Sequence, residues 1–185
     1  MTTVQDLGRY GYQSQGFSVA GVMDVRSFKI ANLLLDNPEN EAVLEITLIG
    51  PTLEFTSATI IAITGGDFQP TINGEPAPMY TALYMNKGDV LKFGSARTGS
   101  RGYIAFSSYL DIPVVGSRCA NLKSGLGGFK GRKLEADDYI GFRIKRRYLP
   151  FFLSRKLDMD EFDQTEATLR VVMGPQDGMF SKQGI

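Results

Sequence analysis

Residues 42–55 read AVLEITLIGPTLEF. Leu44, Ile46 and Leu48 fall on one side of an extended chain, and Glu45 and Thr47 on the other. A period of two is the signature of a β-strand. Gly50-Pro51 breaks the run and Leu53–Phe55 resumes it. Further along, Ala58–Ile63 is a short apolar, β-branched run that suits a buried strand. Gly65-Gly66-Asp67 is expected to turn the chain. Asn73-Gly74 predicts a hairpin whose two central residues both take positive φ. Met79–Met85, Val90–Phe93 and Arg101–Phe106 complete a series of short strands, with Asn86–Asp89 as a turn. Many short strands with glycine turns argue for a barrel or a sandwich. Upstream, Val25, Phe28, Ala31 and Leu35 recur at helical spacing. They predict one helix from Asp24 to about Leu35, capped by the Asp24 carboxylate and stopped by Asp36-Asn37-Pro38.

Nearer the start the chain reads TVQDLGRYGYQSQG over Thr3–Gly16 and AGVMD over Ala20–Asp24. Gly8, Gly11, Gly16 and Gly21 lie among Asp6, Arg9, two tyrosines and two glutamines. So many glycines suit a backbone that turns sharply or approaches something closely. From about Pro113 the character changes. Residues 116–131 hold five glycines among Ser117, Arg118, Asn121, Lys123 and Ser124. A basic stretch follows (Arg143, Lys145, Arg146, Arg147, Arg155, Lys156), then an acidic one (Asp158, Asp160, Glu161, Asp163, Glu166). These runs read as a solvated loop whose halves partly neutralise each other. Leu169–Met173 is expected to be a last strand, ending at Gly174-Pro175.

Composition narrows the chemistry. Twenty Lys and Arg balance twenty Asp and Glu, so no overall charge favours nucleic acid or an anionic membrane. No apolar run is long enough for a membrane span and no signal peptide is evident. The single cysteine, Cys119, cannot form an internal disulfide, which fits a reducing cytoplasm. With no histidine, Ser-His-Asp and Cys-His arrangements are excluded within this chain, as are the usual zinc ligand sets. The glycines of GGFKGR lack the GxxxxGK[ST] pattern, so nucleotide binding by this chain alone is not expected.

The motifs TVQDLGRYGYQ, AGVMD, Ala31-Asn32, LEIT with Gly50-Pro51, TGGD, GSR, GGFKGRKL and LRVVMGPQD occur in that order. Together they resemble the biotin-dependent carboxyltransferase or allophanate hydrolase subunit 2 family. That family includes the C-component of the bacterial 5-oxoprolinase and the KipA-type antagonist of a sporulation kinase inhibitor. The resemblance implies a mainly β fold: a cyclophilin-like β-barrel with one short helix over residues 1–112, then a glycine-rich loop, a charged linker and the start of a second barrel-like domain over 113–185. It also implies a chain truncated at both ends, with uncovered strand edges open to self-association. Three positions depart from the family pattern. Ser108-Tyr109 replaces a glycine pair, Cys119-Ala120 replaces Ser-Thr after GSR, and Asp137-Asp138 stands where Gly-Asp is usual.

The resemblance implies action on amide-like substrates, either ATP-dependent opening of the 5-oxoproline lactam or carboxyl transfer to urea. Both build negative charge on oxygen, which glycine-loop N–H groups and arginine forks stabilise. The expected substrate-binding residues are Arg9, Asp24, Asn32, Ser117 and Arg118, with Gln5 and Asp6 orienting Arg9. For each there is a structural alternative: a loop arginine on local carbonyls, a helix cap, a buried amide. Cys119 reads as an inert buried thiol. The implied partners are a KipI-like protein and a LamB/YcsF-like protein, the other two components of such a complex. ATP belongs to the complex rather than to this chain. Biotin enters only in the urea carboxylase reading, and arrives there on another chain or domain. A second class of function is a binding module that antagonises a KipI-like kinase inhibitor.

Overall fold

The computed structural model describes residues 1–158, 168 and 170–181. Nine strands and one α-helix are assigned among them. The strands are β1 (Thr2–Gln5), β2 (Val43–Thr47), β3 (Thr52–Glu54), β4 (Thr59–Asp67), β5 (Thr71–Ile72), β6 (Glu75–Pro76), β7 (Ala82–Met85), β8 (Val90–Lys92) and β9 (Thr98–Phe106); the helix is α1 (Val25–Leu34). They form two antiparallel sheets, ordered β1-β2-β9-β4-β7 and β3-β8-β5-β6. The cyclophilin-like closed barrel expected from the sequence is not what the hydrogen bonds draw, because among the described residues both sheets are open.

Alternation along β4 builds three layers. Ile61 and Ile63 face the second sheet, where Leu53, Ile72, Leu91 and Phe93 meet Leu44, Ile46 and Ile104. Ile60 and Ala62 face the other way, with Val43, Tyr103 and Ala105, under Phe28, Ala31, Leu34 and Leu35. The strand read as buried is so, on both of its faces, with the helix covering one of them. Burying both faces of a central strand supplies most of the hydrophobic drive, at ~25 cal/mol per Å² of apolar surface.

Local expectations are mostly met. Asp24 caps α1, its Oδ1 accepting from Ser27 N at 3.0 Å and its Oδ2 from Ser27 Oγ at 2.5 Å. Asn73 (φ 53°) and Gly74 (φ 92°) make the hairpin between β5 and β6. Others fail. Gly65-Gly66-Asp67 does not turn the chain; it continues β4 beside β9, with a bulge between Gly65 and Asp67. A β-carbon on Gly65 (φ +90°) would lie 2.5 Å from Arg101 O, so the glycines serve close strand approach. The last expected strand falls partly at Leu169, outside the described residues, while 170–173 carry no strand. Leu48 lies beyond the end of β2 at φ 59° and is exposed, rather than extending the apolar side.

The chain from 113 to 157 is irregular but tied to the sheets. Ala120 N donates to Val4 O and Leu134 N to Thr2 O, both at 2.9 Å, covering the outer edge of β1. Arg143 N donates to Tyr109 O and Leu157 N to Tyr80 O. Most of the acidic run (Asp160, Glu161, Asp163, Glu166) lies outside the described residues. Within the basic run, Arg143 pairs with Glu41 at 2.6 Å and Arg146 with Asp36 at 3.2 Å. Arg155 Nη1 donates to Leu33 O and Leu34 O at the end of α1, satisfying carbonyls that a helix terminus leaves open.

Candidate functional site

Asp6, at the end of β1, organises the most polar buried cluster. Its carboxylate accepts from Gly8 N (2.9 Å) and Ser117 Oγ (2.6 Å) on Oδ1, and from Arg118 N (2.6 Å) on Oδ2. Ser117 Oγ in turn accepts from Cys119 N at 2.9 Å. The first glycine-rich segment and the GSR loop, about 110 residues apart in sequence, are thus one unit.

Arg9 sits inside this unit at 1 % exposure. Nε donates to Val115 O at 2.6 Å and Nη2 to Cys119 O at 3.5 Å; Nη1 is buried without a partner. No carboxylate pairs with it among the described residues, and neither Gln5 nor Asp6 orients it as expected. Gln5 instead donates from Nε2 to Thr3 Oγ1 and Ala120 O. Gly127, at φ +69°, passes so close that a β-carbon there would meet Cys119 O and Arg9 Nη2. Arg118 spends Nε on Ile112 O at 3.2 Å, and its Nη groups have no partner among the described residues. Both arginines therefore grip the 112–115 backbone and keep unspent N–H groups.

The other expected contacts are placed differently. Ser117 spends its O–H on Asp6, so donation to a substrate is not its role in this state. Asp24 is the cap of α1, its backbone N–H donating to Tyr103 OH at 2.7 Å. Asn32 is fully buried: Nδ2 donates to Glu41 O (2.8 Å), and Oδ1 accepts from Asn37 Nδ2 (3.0 Å). Arg9, Ser117 and Arg118 come together; Asp24 and Asn32 do not join them.

Burial raises the Cys119 thiol above its ordinary range, and the neighbouring Asp6 charge pushes the same way. The thiol is therefore held protonated, in line with the inert reading. In the 127–131 loop, Gly128 N donates to Arg118 O and Gly131 N to Gly127 O. Those two N–H groups are not left to cradle a phosphate.

Sequence reasoning missed a second polar group under α1. Glu45 Oε2 accepts from Tyr103 OH and Met23 N, both at 2.9 Å, and Arg101 lies 3.7 Å from Oε1. Burial, followed by the Glu45 and Asp24 charges, drives the Tyr103 hydroxyl far above its ordinary range. The available signal was Glu45 between Leu44 and Ile46, but it marked a solvent face only so long as nothing covered it.

Residues 15–185 match the family described as carboxyltransferase domain, subdomain A and B. The chain belongs to that family. The C-component of the Escherichia coli 5-oxoprolinase is 38 % identical over 147 residues, covering 79 % of this chain and 47 % of that protein. The urea amidolyase of Lachancea kluyveri is 38 % identical over 141 residues, 75 % of this chain but 8 % of that protein. Among solved structures, TTHA0988 superposes with a TM-score of 0.81 at 29 % identity over 95 % of this chain and 64 % of that one. The K. lactis urea amidolyase gives 0.76 at 33 % identity over 82 % of this chain and 9 % of that one. The chain thus spans about half of the curated 5-oxoprolinase component and a small part of the urea amidolyases. No helix among the described residues is long and apolar enough to cross a membrane.

Proposed function

We propose that this carboxyltransferase-family chain is a non-autonomous component of a 5-oxoprolinase-type complex, an ATP-dependent lactam-opening amidohydrolase. It contributes one wall of a site shared with a KipI-like protein, in an assembly that also holds a LamB/YcsF-like protein. The observation that carries this reading is the pair Arg9 and Arg118, fixed by the Asp6-centred loop and keeping N–H groups with no protein partner. Opening a lactam builds charge on its carbonyl oxygen, and preorganised guanidinium donors lower the cost of that charge. The extent of the match to the 5-oxoprolinase C-component supports the choice of complex. ATP is assigned to the assembly, in keeping with the internally bonded N–H groups of the 127–131 loop. The same reading takes the two stacked sheets as a cyclophilin-like barrel open at β3. It takes the chain from 113 as the start of a second domain, and the cytoplasm as the location.

The urea amidolyase and urea carboxylase relatives favour a second reading, the carboxyltransferase domain of a biotin-dependent urea carboxylase. One experiment separates them. The chain is reconstituted with the KipI-like and LamB/YcsF-like proteins, ATP and 5-oxoproline, and glutamate formation is measured. Turnover that falls at least ~100-fold in Arg118→Ala, with melting temperature and co-elution unchanged, is the expected result. Turnover indifferent to Arg118→Ala defeats the reading. Tight binding to the KipI-like protein that survives Arg9→Ala and Arg118→Ala, without turnover, identifies a binding module that antagonises a KipI-like inhibitor.

A further inference from the structure

The basic run Arg143–Arg147 divides by partner. Arg143 and Arg146 are neutralised by Glu41 and Asp36. Lys145 and Arg147 have no acidic partner among the described residues. Both line a cavity of about 240 Å³ whose other polar wall is Thr56, Ser57 and Ser108. No carboxylate lines it. This cavity shares Thr56, Tyr139, Ile140 and Phe142 with a larger one of about 400 Å³. The larger chamber is floored by Phe55, Phe106 and Phe142, whose ring centroids step 6.4 and 5.8 Å from one to the next. Its acids, Glu54, Asp137 and Asp138, line the larger chamber and not the smaller one, and Asp138 is already held by Arg132 at 2.7 Å.

From this layout we infer that the two chambers are one binding site for a small organic anion with an aromatic or branched apolar body. The anionic head lies against Lys145, Arg147 and the hydroxyls of Thr56 and Ser57; the body lies on the phenylalanine floor. A carboxylate or phosphate head is served by the same donors, since both take charge-assisted hydrogen bonds from lysine and arginine. Glu54 and Asp137 repel a head placed the other way round and so fix one orientation. The combined volume falls in the range of small-molecule pockets, which pair an apolar lining with a few convergent polar groups. None of these residues belongs to the Asp6–Ser117 cluster, so the site stands or falls independently of the lactam-opening reading.

The test is calorimetric titration of the 185-residue chain with 3-phenylpropionate, 3-phenylpropan-1-ol, propionate and phenyl phosphate. Saturable binding of 3-phenylpropionate, at least about tenfold tighter than the alcohol and than propionate, is expected. The double variant Lys145→Gln/Arg147→Gln, whose side chains are exposed, should erase the preference for acid over alcohol while melting as the wild type does. Phe142→Leu should weaken both aromatic ligands alike. Phenyl phosphate competing with 3-phenylpropionate supports the shared head site. Equal affinity for acid and alcohol, or an acid preference untouched by the double variant, overturns the proposal. So does absence of saturable binding up to about 10 mM.

Discussion

Asp6 makes three short charge-assisted hydrogen bonds at 2 % exposure, all to groups that no other acceptor satisfies. Asp6→Ala should therefore cost about 2–4 kcal/mol, read as a shift in urea midpoint, because Ser117 Oγ and two backbone N–H groups are left unpaired in the interior. Cys119 makes the converse case. Its raised thiol should react with iodoacetamide at pH 8 far more slowly than the same thiol in urea-unfolded chain. At the surface, Asp138 takes a bidentate pair from Arg132 and Glu135 N, and its carboxyl sits at about 2 against an ordinary 3.8. A carboxyl lowered by folding stabilises the fold fully above its ordinary value. That contribution is lost as pH falls from about 4 towards 2. Urea titrations between pH 5 and about 2 should show this loss in wild type and a flatter profile in Asp138→Asn.

At the level of elements, patterning carried the reading and failed where one element covers another. Period two in residues 42–47 located β2, and the 3.6 period with Asp24 located α1. Glu45 looked solvated because the sequence does not say that Tyr103 and the backbone at Met23, just before α1, close over it. The Gly65-Gly66 pair looked like a turn because local grammar treats glycine as punctuation; here it lets β4 run close to β9, which only the strand partner reveals. Of the candidate site, Arg9, Ser117 and Arg118 were legible from their motifs. The Asp6 contacts that join them were not, because nothing local links residue 6 to residue 117. Two substitutions test this account. Asp24→Ala should cost about 1 kcal/mol as a lost cap, without disturbing the Asp6 cluster. Gly65→Ala combines a positive φ with a clash against Arg101 O, and should cost about 1–3 kcal/mol or prevent folding, as judged by circular dichroism.

Across the whole molecule, the two sheets end differently. The outer side of β1 is covered by Ala120 and Leu134. On β3, bonds from Phe93 N to Pro51 O and from Phe55 N to Asp89 O aim the odd-numbered residues at β8. The backbone groups of Thr52 and Glu54 therefore point outward, without a backbone partner among the described residues. Their amides should exchange with solvent orders of magnitude faster than those of Ile61 and Ile104, which lie in central strands, in a hydrogen-exchange experiment. The same side of β3 bounds the larger cavity, so 3-phenylpropionate should slow exchange there and leave β1 unchanged.

The fastening of β1 also bears on how the chain is made. Its outer side needs Ala120 and Leu134, and Asp6 needs Ser117 and Arg118, so β1 cannot complete its bonds until Leu134 has been synthesised. At ~5–20 residues per second that is a wait of several seconds or more. During that interval β2, β4 and β9 can pair while the amino-terminal strand remains open to chaperones and proteases. A strand made well before its partners is thus among the last to be secured.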